Sequence, residues 1–210
     1  IDRSRGLGDV YKRQEEYRSI LGFYGPFFYS IMFNIVSKIG IFISCRKYIL
    51  KNKSGHVIYP SEINSNWLSN TKQLAFDNIN LLYVGRLKVE KGIFSLLKMI
   101  KNNEKINLTI LGASKENIKK IQQNNVKVFE IENNENNMIK FYDNSNIFVL
   151  PSFTEGHPMV LLESLARLRP VIIFNEIKHV ANKYEGVFVS ERNSEDLLKK
   201  SHKLVLHYLI

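Results

Sequence analysis

The alternation of apolar and polar positions changes character near residue 78. From there, short apolar runs are separated by longer segments whose apolar positions recur at helical spacing. The runs Ile79–Val84, Ile106–Leu111, Val126–Phe129, Ile147–Leu150, Val171–Phe174 and Val187–Ser190 predict strands. The segments Gly92–Lys101, Lys115–Asn124, Asn134–Tyr142, Pro158–Arg167 and Ser194 onward predict helices, with a short helical turn near His179–Lys183. Strands and helices alternating at these lengths predict an α/β protein with an open, doubly wound parallel sheet.

Before residue 78 the pattern is less regular. Ile20–Cys45 is the most apolar stretch, with Lys38 its only charge. It is long enough to span a membrane. Gly22, Gly25 and Pro26 break its start, however, and Asn34, Ser37 and Lys38 interrupt it. The better parse is a helix over Pro26–Lys38 and a strand over Ile39–Ser44. Its apolar character, through to Ile39, exceeds that of a free surface helix, so exposed apolar surface is expected there. A Lys-rich helix over Arg46–Lys53, a strand His56–Tyr59, a turn at Pro60-Ser61 and a linker Ser65–Thr71 follow. Ile1–Arg13 prefers Arg and Gly where the rest prefers Lys and Asn, and carries no initiator Met. It reads as a non-native or disordered leader. The expected organisation is a leader over 1–13, the end of an N-terminal domain plus linker over 14–70, and a ligand-binding domain over 71–210.

Charge narrows the function classes. The net charge is +10 over 210 residues, mostly from dispersed Lys. Dispersed Lys gives a basic surface compatible with anionic substrates or an acidic membrane face. Zinc-ligand spacing and the aromatic–basic motifs of RNA-binding sheets are both absent from the sequence, so no nucleic-acid partner is expected. Cys45 is the only cysteine, which excludes an internal disulfide and fits a cytoplasmic setting.

The richest chemistry lies in Leu150–Phe174, read as one strand–helix–strand unit. The loop Ser152–His157 holds Glu155 and Gly156, and Pro158 stands at a helix start. The following helix is apolar nearly all round, yet carries Glu163. A carboxylate there needs a partner. The N–H groups of Met159, Val160 and Leu161 point out of the helix start, which suits an anion. A phosphorylated ligand that also carries hydroxyls would fit this unit. The plainer alternative has Glu155 solvated and Glu163 paired with a nearby Lys. A second constellation, Gly85-Arg86-Leu87-Lys88-Val89-Glu90-Lys91-Gly92, follows the strand Ile79–Val84. Gly85 lets backbone approach a ligand, and Arg86 and Lys91 flank the next helix start. It is neither a dinucleotide fingerprint nor a P-loop.

Pro-Ser-x-x-Glu-Gly-x-Pro-x-x-x-x-Glu, with seven residues between Glu155 and Glu163, resembles the signature of the family-4 retaining glycosyltransferases of the GT-B fold. Gly-Arg-Leu…Glu-Lys-Gly resembles the same family's nucleotide-sugar domain, and the resemblance covers roughly residues 39–190. It implies a Rossmann-like GT-B C-terminal domain with a remnant of a second, N-terminal acceptor domain. By position it implies that Arg86 and Lys91 meet the donor diphosphate and that Glu163 takes the ribose hydroxyls. It also implies that Glu155 faces the transferred sugar, with His157 nearby, and that the helix start at Pro158 holds the distal phosphate. Glu130 and Ile131 would border the base. The implied activity is transfer of a sugar from a nucleoside-diphosphate sugar, with retention, to a saccharide acceptor that is lipid-linked or polysaccharide. No metal and no cofactor are implied. The enzyme would work in the cytoplasm, also at an anionic membrane surface, and this chain alone would be inactive. Two departures bear on the sugar: Leu168 replaces a usual Gly, and Asn175–His179 replaces a Gly-rich loop. A nucleotide-sugar epimerase-like enzyme and an inactive anion-binding α/β module are the competing classes.

Overall fold

The computed structural model describes residues 21–39, 42–44, 55–57, 63–73, 78–101, 103–121 and 124–207. The chain divides into two compact units. One takes Ile1–Ser61 with Glu155–Met159, the other Glu62–Thr154 with Val160–Ile210.

In the first unit, helix α1 (Gly25–Ile39) precedes two short parallel strands, β1 (Phe42–Ser44) and β2 (Gly55–Val57), with Ile43 opposite His56. Phe27, Phe28, Ile31, Met32 and Ile35 of α1 are between 39% and 63% exposed, as the apolar run led us to expect. Among the described residues no helix is long and apolar enough to cross a membrane. The leader, the Lys-rich helix over Arg46–Lys53 and the turn at Pro60-Ser61 lie outside the described residues.

The second unit is built on one parallel sheet. Its elements are α2 (Ser65–Leu68), β3 (Ile79–Val84), α3 (Ile93–Ile100), β4 (Ile106–Ala113), α4 (Lys115–Ile121), β5 (Val126–Glu130) and α5 (Glu135–Asp143). They continue with β6 (Ile147–Leu150), α6 (Met159–Ala166), β7 (Val171–Phe174), β8 (Val187–Ser190) and α7 (Ser194–His207). The strand order is β5-β4-β3-β6-β7-β8, every pair parallel. β6 and β7 are wholly buried, which is why they read as unbroken apolar runs.

Alternation along each strand feeds two apolar layers. Leu81 and Tyr83 of β3 join Ile93, Leu96 and Ile100 of α3 and Leu197 of α7 on one face. Leu82 joins Met138 and Tyr142 of α5, Leu161 of α6 and Trp67 on the other. Fully burying each such side chain contributes roughly 1.5–3 kcal/mol.

Two readings change. The segment expected as a linker packs against the sheet unit. Trp67 of α2 is 5% exposed and meets the Tyr142 ring edge-on at 5.5 Å. Asn64 caps α2 by accepting from the Asn66 amide. Both asparagine side chains also donate to Glu135, holding that carboxyl below its ordinary pKa. The helical turn near His179 is longer than expected, a 3₁₀ stretch over Asn175–Lys183 with a kink at Ile177.

At the N-terminal ends of the strands two arginines are buried. Arg167 donates to the carbonyls of Trp67, Ser69 and Asn70 at 2.7–3.0 Å and forks onto the Asp143 carboxylate at 2.8 and 2.9 Å. Arg169 donates to the carbonyls of Tyr142, Lys72 and Asp143, while its Nη1 has no partner among the described residues. Burial lowers the Arg169 pKa, Asp143 opposes that, and Arg167 adds to it. Between them Leu168 holds a left-handed backbone at φ 57°, a conformation that favours glycine.

Candidate functional site at the strand ends

β3 pairs β6, with Leu81 opposite Ile147 and Leu82 opposite Phe148. From β3 the chain continues outward to β4 and β5, and from β6 it runs the other way to β7 and β8. The direction therefore reverses between β3 and β6. A crevice for ligands opens at such a switch point, beyond the C-terminal strand ends. The two loops that leave there, after β3 and after β6, carry the two constellations singled out in the sequence.

The loop after β3 starts on bare backbone. The Gly85 amide donates to the Leu111 carbonyl at 2.9 Å, and the Tyr83 hydroxyl donates to the Arg86 carbonyl at 2.8 Å. A Cβ at Gly112 would lie 2.6 Å from the Gly85 oxygen, so these two backbones need glycine to pass. A 3₁₀ turn over Val89–Lys91 follows, and Gly92 at φ +67° ends it and opens α3. Arg86 and Lys91 are both half-buried here.

The loop after β6 is sewn to that turn. The Phe153 amide donates to the Glu90 carbonyl at 3.0 Å. A Cβ at Gly92 would fall 1.8 Å from the Pro151 oxygen, so only glycine allows the approach. Beyond this point Glu155, Gly156, His157 and Met159 are half-buried and Pro158 is buried. These five residues group with the first compact unit. Helix α6 begins at Met159, directly after Pro158, and its Val160 is half-buried and Leu161 buried.

Glu163 is 2% exposed and accepts a 2.8 Å hydrogen bond from the Tyr142 hydroxyl. The partner that a buried carboxylate demands thus includes a tyrosine, where a lysine was the plainer expectation. Tyr142 also reaches the Val160 carbonyl at 3.4 Å. At the end of β5, Glu130 is exposed and Ile131 is 63% exposed. Glu132 faces the start of α5, where the Asn134 amide and the Asn137 side chain hold its pKa below the ordinary value.

Three residues of this region carried no signal in the sequence. Tyr83 and Tyr142 sit at core spacing, and nothing in that spacing says where a hydroxyl ends. Arg192, in the loop after β8, looked like one basic residue among many. It donates to the Pro151 carbonyl at 2.9 Å and forks onto Glu176 at 2.6 and 3.0 Å. Arg192 holds the Glu176 carboxyl below its ordinary pKa.

The family description for glycosyl transferases group 1 matches residues 69–207, which contain both loops and the whole sheet. The chain belongs to this family. It is 33% identical over 173 residues to an uncharacterised glycosyltransferase of Haemophilus influenzae, covering 75% of this chain and 47% of that protein. It is 31% identical over 147 residues to the capsular polysaccharide biosynthesis glycosyltransferase CapM of Staphylococcus aureus, covering 63% and 38%. A Campylobacter jejuni relative is 25% identical over 146 residues, covering 63% and 38%. It is an N-acetylgalactosaminyltransferase named for a diacetylbacillosaminyl-diphospho-undecaprenol substrate. The chain spans less than half the length of each of these relatives. Among solved structures, sucrose-phosphate synthase from Thermosynechococcus elongatus superposes with a TM-score of 0.61 at 18% identity, over 79% of this chain and 47% of that one. The lipopolysaccharide galactosyltransferase WaaB superposes at 0.60 and 18%, over 80% and 53%. The fold is α/β, a doubly wound parallel sheet of the GT-B glycosyltransferase type.

Proposed function

We propose that this chain supplies the donor side of a retaining glycosyltransferase, and that the donor is a nucleoside-diphosphate sugar. The observation that carries the reading is the placement of both constellations on loops leaving adjacent parallel strands at the switch point. Arg86 and Lys91 meet the diphosphate, and the N–H groups at the start of α6 meet its distal phosphate. Glu163 takes ribose hydroxyls, with Tyr142 orienting its carboxylate. Glu155, beside Gly156 and His157, faces the transferred sugar, and Glu130 and Ile131 border the base.

Transfer then depends on stabilising the departing nucleoside diphosphate. Its negative charge grows as the glycosidic bond breaks, and preorganised donors meet it without reorganisation. Each such donor is typically worth about 3–4 kcal/mol. Glu155 stabilises the cation-like sugar, and the acceptor hydroxyl attacks from the face the leaving group departs. These groups supply the charge stabilisation without a metal or other cofactor. The acceptor is a lipid-linked sugar or a growing polysaccharide, in line with the diphospho-undecaprenol-linked sugar in the Campylobacter relative's name and the capsular polysaccharide biosynthesis in the Staphylococcus relative's. The exposed apolar face of α1 and the net charge of +10 support work at the cytoplasmic face of an anionic membrane. Donor binding resides in this chain, and transfer needs the longer protein.

The test is calorimetric titration of the chain with UDP, GDP, ADP and CDP in chelator, then steady-state kinetics of the longer enzyme. One diphosphate binds, and Arg86→Ala or Lys91→Ala weakens it about tenfold or more. In the longer enzyme those two variants raise KM and lower kcat together. Glu163→Ala mainly raises KM, and Glu155→Ala mainly lowers kcat. NMR of the product's anomeric proton reports retention. An inverted product, or no binding by any diphosphate, would sink the reading.

A further inference from the structure

Four strand-end loops converge on one side chain that the proposed chemistry does not use. Arg192 lies between β8 and α7, and its side chain is 15% exposed. Its Nε and Nη2 fork onto Glu176, in the 3₁₀ stretch after β7. Nη1 donates to the Pro151 carbonyl at 2.9 Å, and Nη2 approaches the Ser152 carbonyl at 3.4 Å, both in the loop after β6. The guanidinium lies 4.1 Å from the centre of the Phe153 ring and 4.6 Å from that of Phe174. At Gly92, after β3, a Cβ would come within 3.1 Å of Nη1. The base of Arg192 is itself anchored. The Asp196 carboxylate accepts from the Ser190 hydroxyl and the Glu191 amide, and Asn175 donates to Glu191 at 2.6 Å.

Only a planar fork can bind a carboxylate, two carbonyls and two ring faces together. Glu176 lies in the first turn of the 3₁₀ stretch Asn175–Lys183 that follows β7. Arg192, through Glu176, and Glu191, through Asn175, both hold this stretch to the loop after β8. Its strongest backbone contact is the Pro151 carbonyl, two residues before the Phe153 amide that ties the β6 loop to Glu90.

We propose that Arg192 is a positioning residue for donor binding. With Glu176 as its counter-charge, it fixes Pro151–Phe153 against the Val89–Gly92 turn. The stem of the Glu155 loop and the loop bearing Arg86 and Lys91 are thereby preorganised for a nucleoside diphosphate. This rests on the donor-site reading above, and it adds a residue that touches neither donor nor acceptor.

The test uses the 210-residue chain with two readouts: amide hydrogen exchange at Phe153, and calorimetric Kd for UDP, GDP, ADP and CDP. Arg192→Ala is expected to speed Phe153 exchange about tenfold or more and leave Val149 and Ile172, in the sheet interior, unchanged. The Kd of the diphosphate that the wild type binds rises about tenfold. Arg192→Lys does not restore either readout, because an ammonium cannot span the same partners. Glu176→Gln keeps the shape and loses the charge, so it shows a smaller change of the same kind. It also carries the test if Arg192→Ala does not fold. The double variant Arg192→Ala/Glu176→Gln is no worse than Arg192→Ala alone. Unchanged Phe153 exchange, unchanged Kd, or full rescue by lysine each overturns the proposal. A wild-type chain that binds none of the diphosphates overturns the donor reading as well, and the exchange data tell the two failures apart.

Discussion

The two ends of the sheet make instructive opposites. At the N-terminal ends, polar side chains are spent on the protein itself. Asn146 accepts from the Asn80 amide and donates to the Asn78 carbonyl. Asn125 donates to the carbonyls of Ile100, Asn103 and Ile106. Arg167 makes five hydrogen bonds, every one to this chain. At the C-terminal ends the close contacts are made by bare backbone at Gly85, Gly92 and Gly112. Arg86 and Lys91 there are half-buried. One edge is closed by side chains that knit loops together. The other is shaped by glycines, with Arg192 tying the loops after β6 and β7. Arginine ties loops at both edges, through Arg167 at 1% side-chain exposure and through Arg192 at 15%.

This contrast can be broken experimentally, starting at the closed edge. Arg167→Ala should destabilise the chain by about 3–5 kcal/mol, since it removes a buried guanidinium that a half-buried carboxylate and three carbonyls bind. Urea unfolding measures it, and nucleoside-diphosphate affinity of the folded fraction should be unchanged. Gly92→Ala acts at the open edge. Its Cβ meets the Pro151 oxygen and its φ is left-handed, so a loss of about 1–3 kcal/mol is expected. Unlike Arg167→Ala, it should also weaken diphosphate binding, because it pushes the two loops apart. Tyr142→Phe removes one donor from Glu163 and should cost about 1–3 kcal/mol with little change in fold, read by thermal unfolding and circular dichroism. The smallest effect is a gain. Leu168→Gly should stabilise by about 0.5–1 kcal/mol, because Leu168 is 63% exposed, loses little packing, and sits where glycine is at ease. A destabilised Leu168→Gly would mean that side-chain packing outweighs backbone strain at this position.

The regular part of the fold could be read from the chain because burial there is uniform. β6 and β7 are buried on both faces, so their bounds coincide with their apolar runs. The strand β4 runs on past Leu111 to Ala113 because a bulge shifts its pairing with β5, which no periodicity encodes. Residues 65–71 looked like a linker because one tryptophan among serines and asparagines gives no period. Its burial depends on Tyr142, 75 residues further on. The site was half legible. The loops that leave β3 and β6 carry compact local motifs, and strand order makes their stems neighbours. Arg192 and Tyr142 escaped because their roles are set by what they reach across the sheet edge.

The clasp formed by Trp67 and Arg167 has a practical reach. A domain excised at residue 71 would follow the apparent boundary in the sequence, yet it would remove three carbonyls that Arg167 binds. It would also remove the ring that lies against Tyr142, whose hydroxyl holds Glu163. A cut made for convenience at one edge would loosen a carboxylate in the helix that begins at the other. The shortest segment that keeps Glu163 in place starts no later than Asn64, where the helical turn bearing Trp67 is capped.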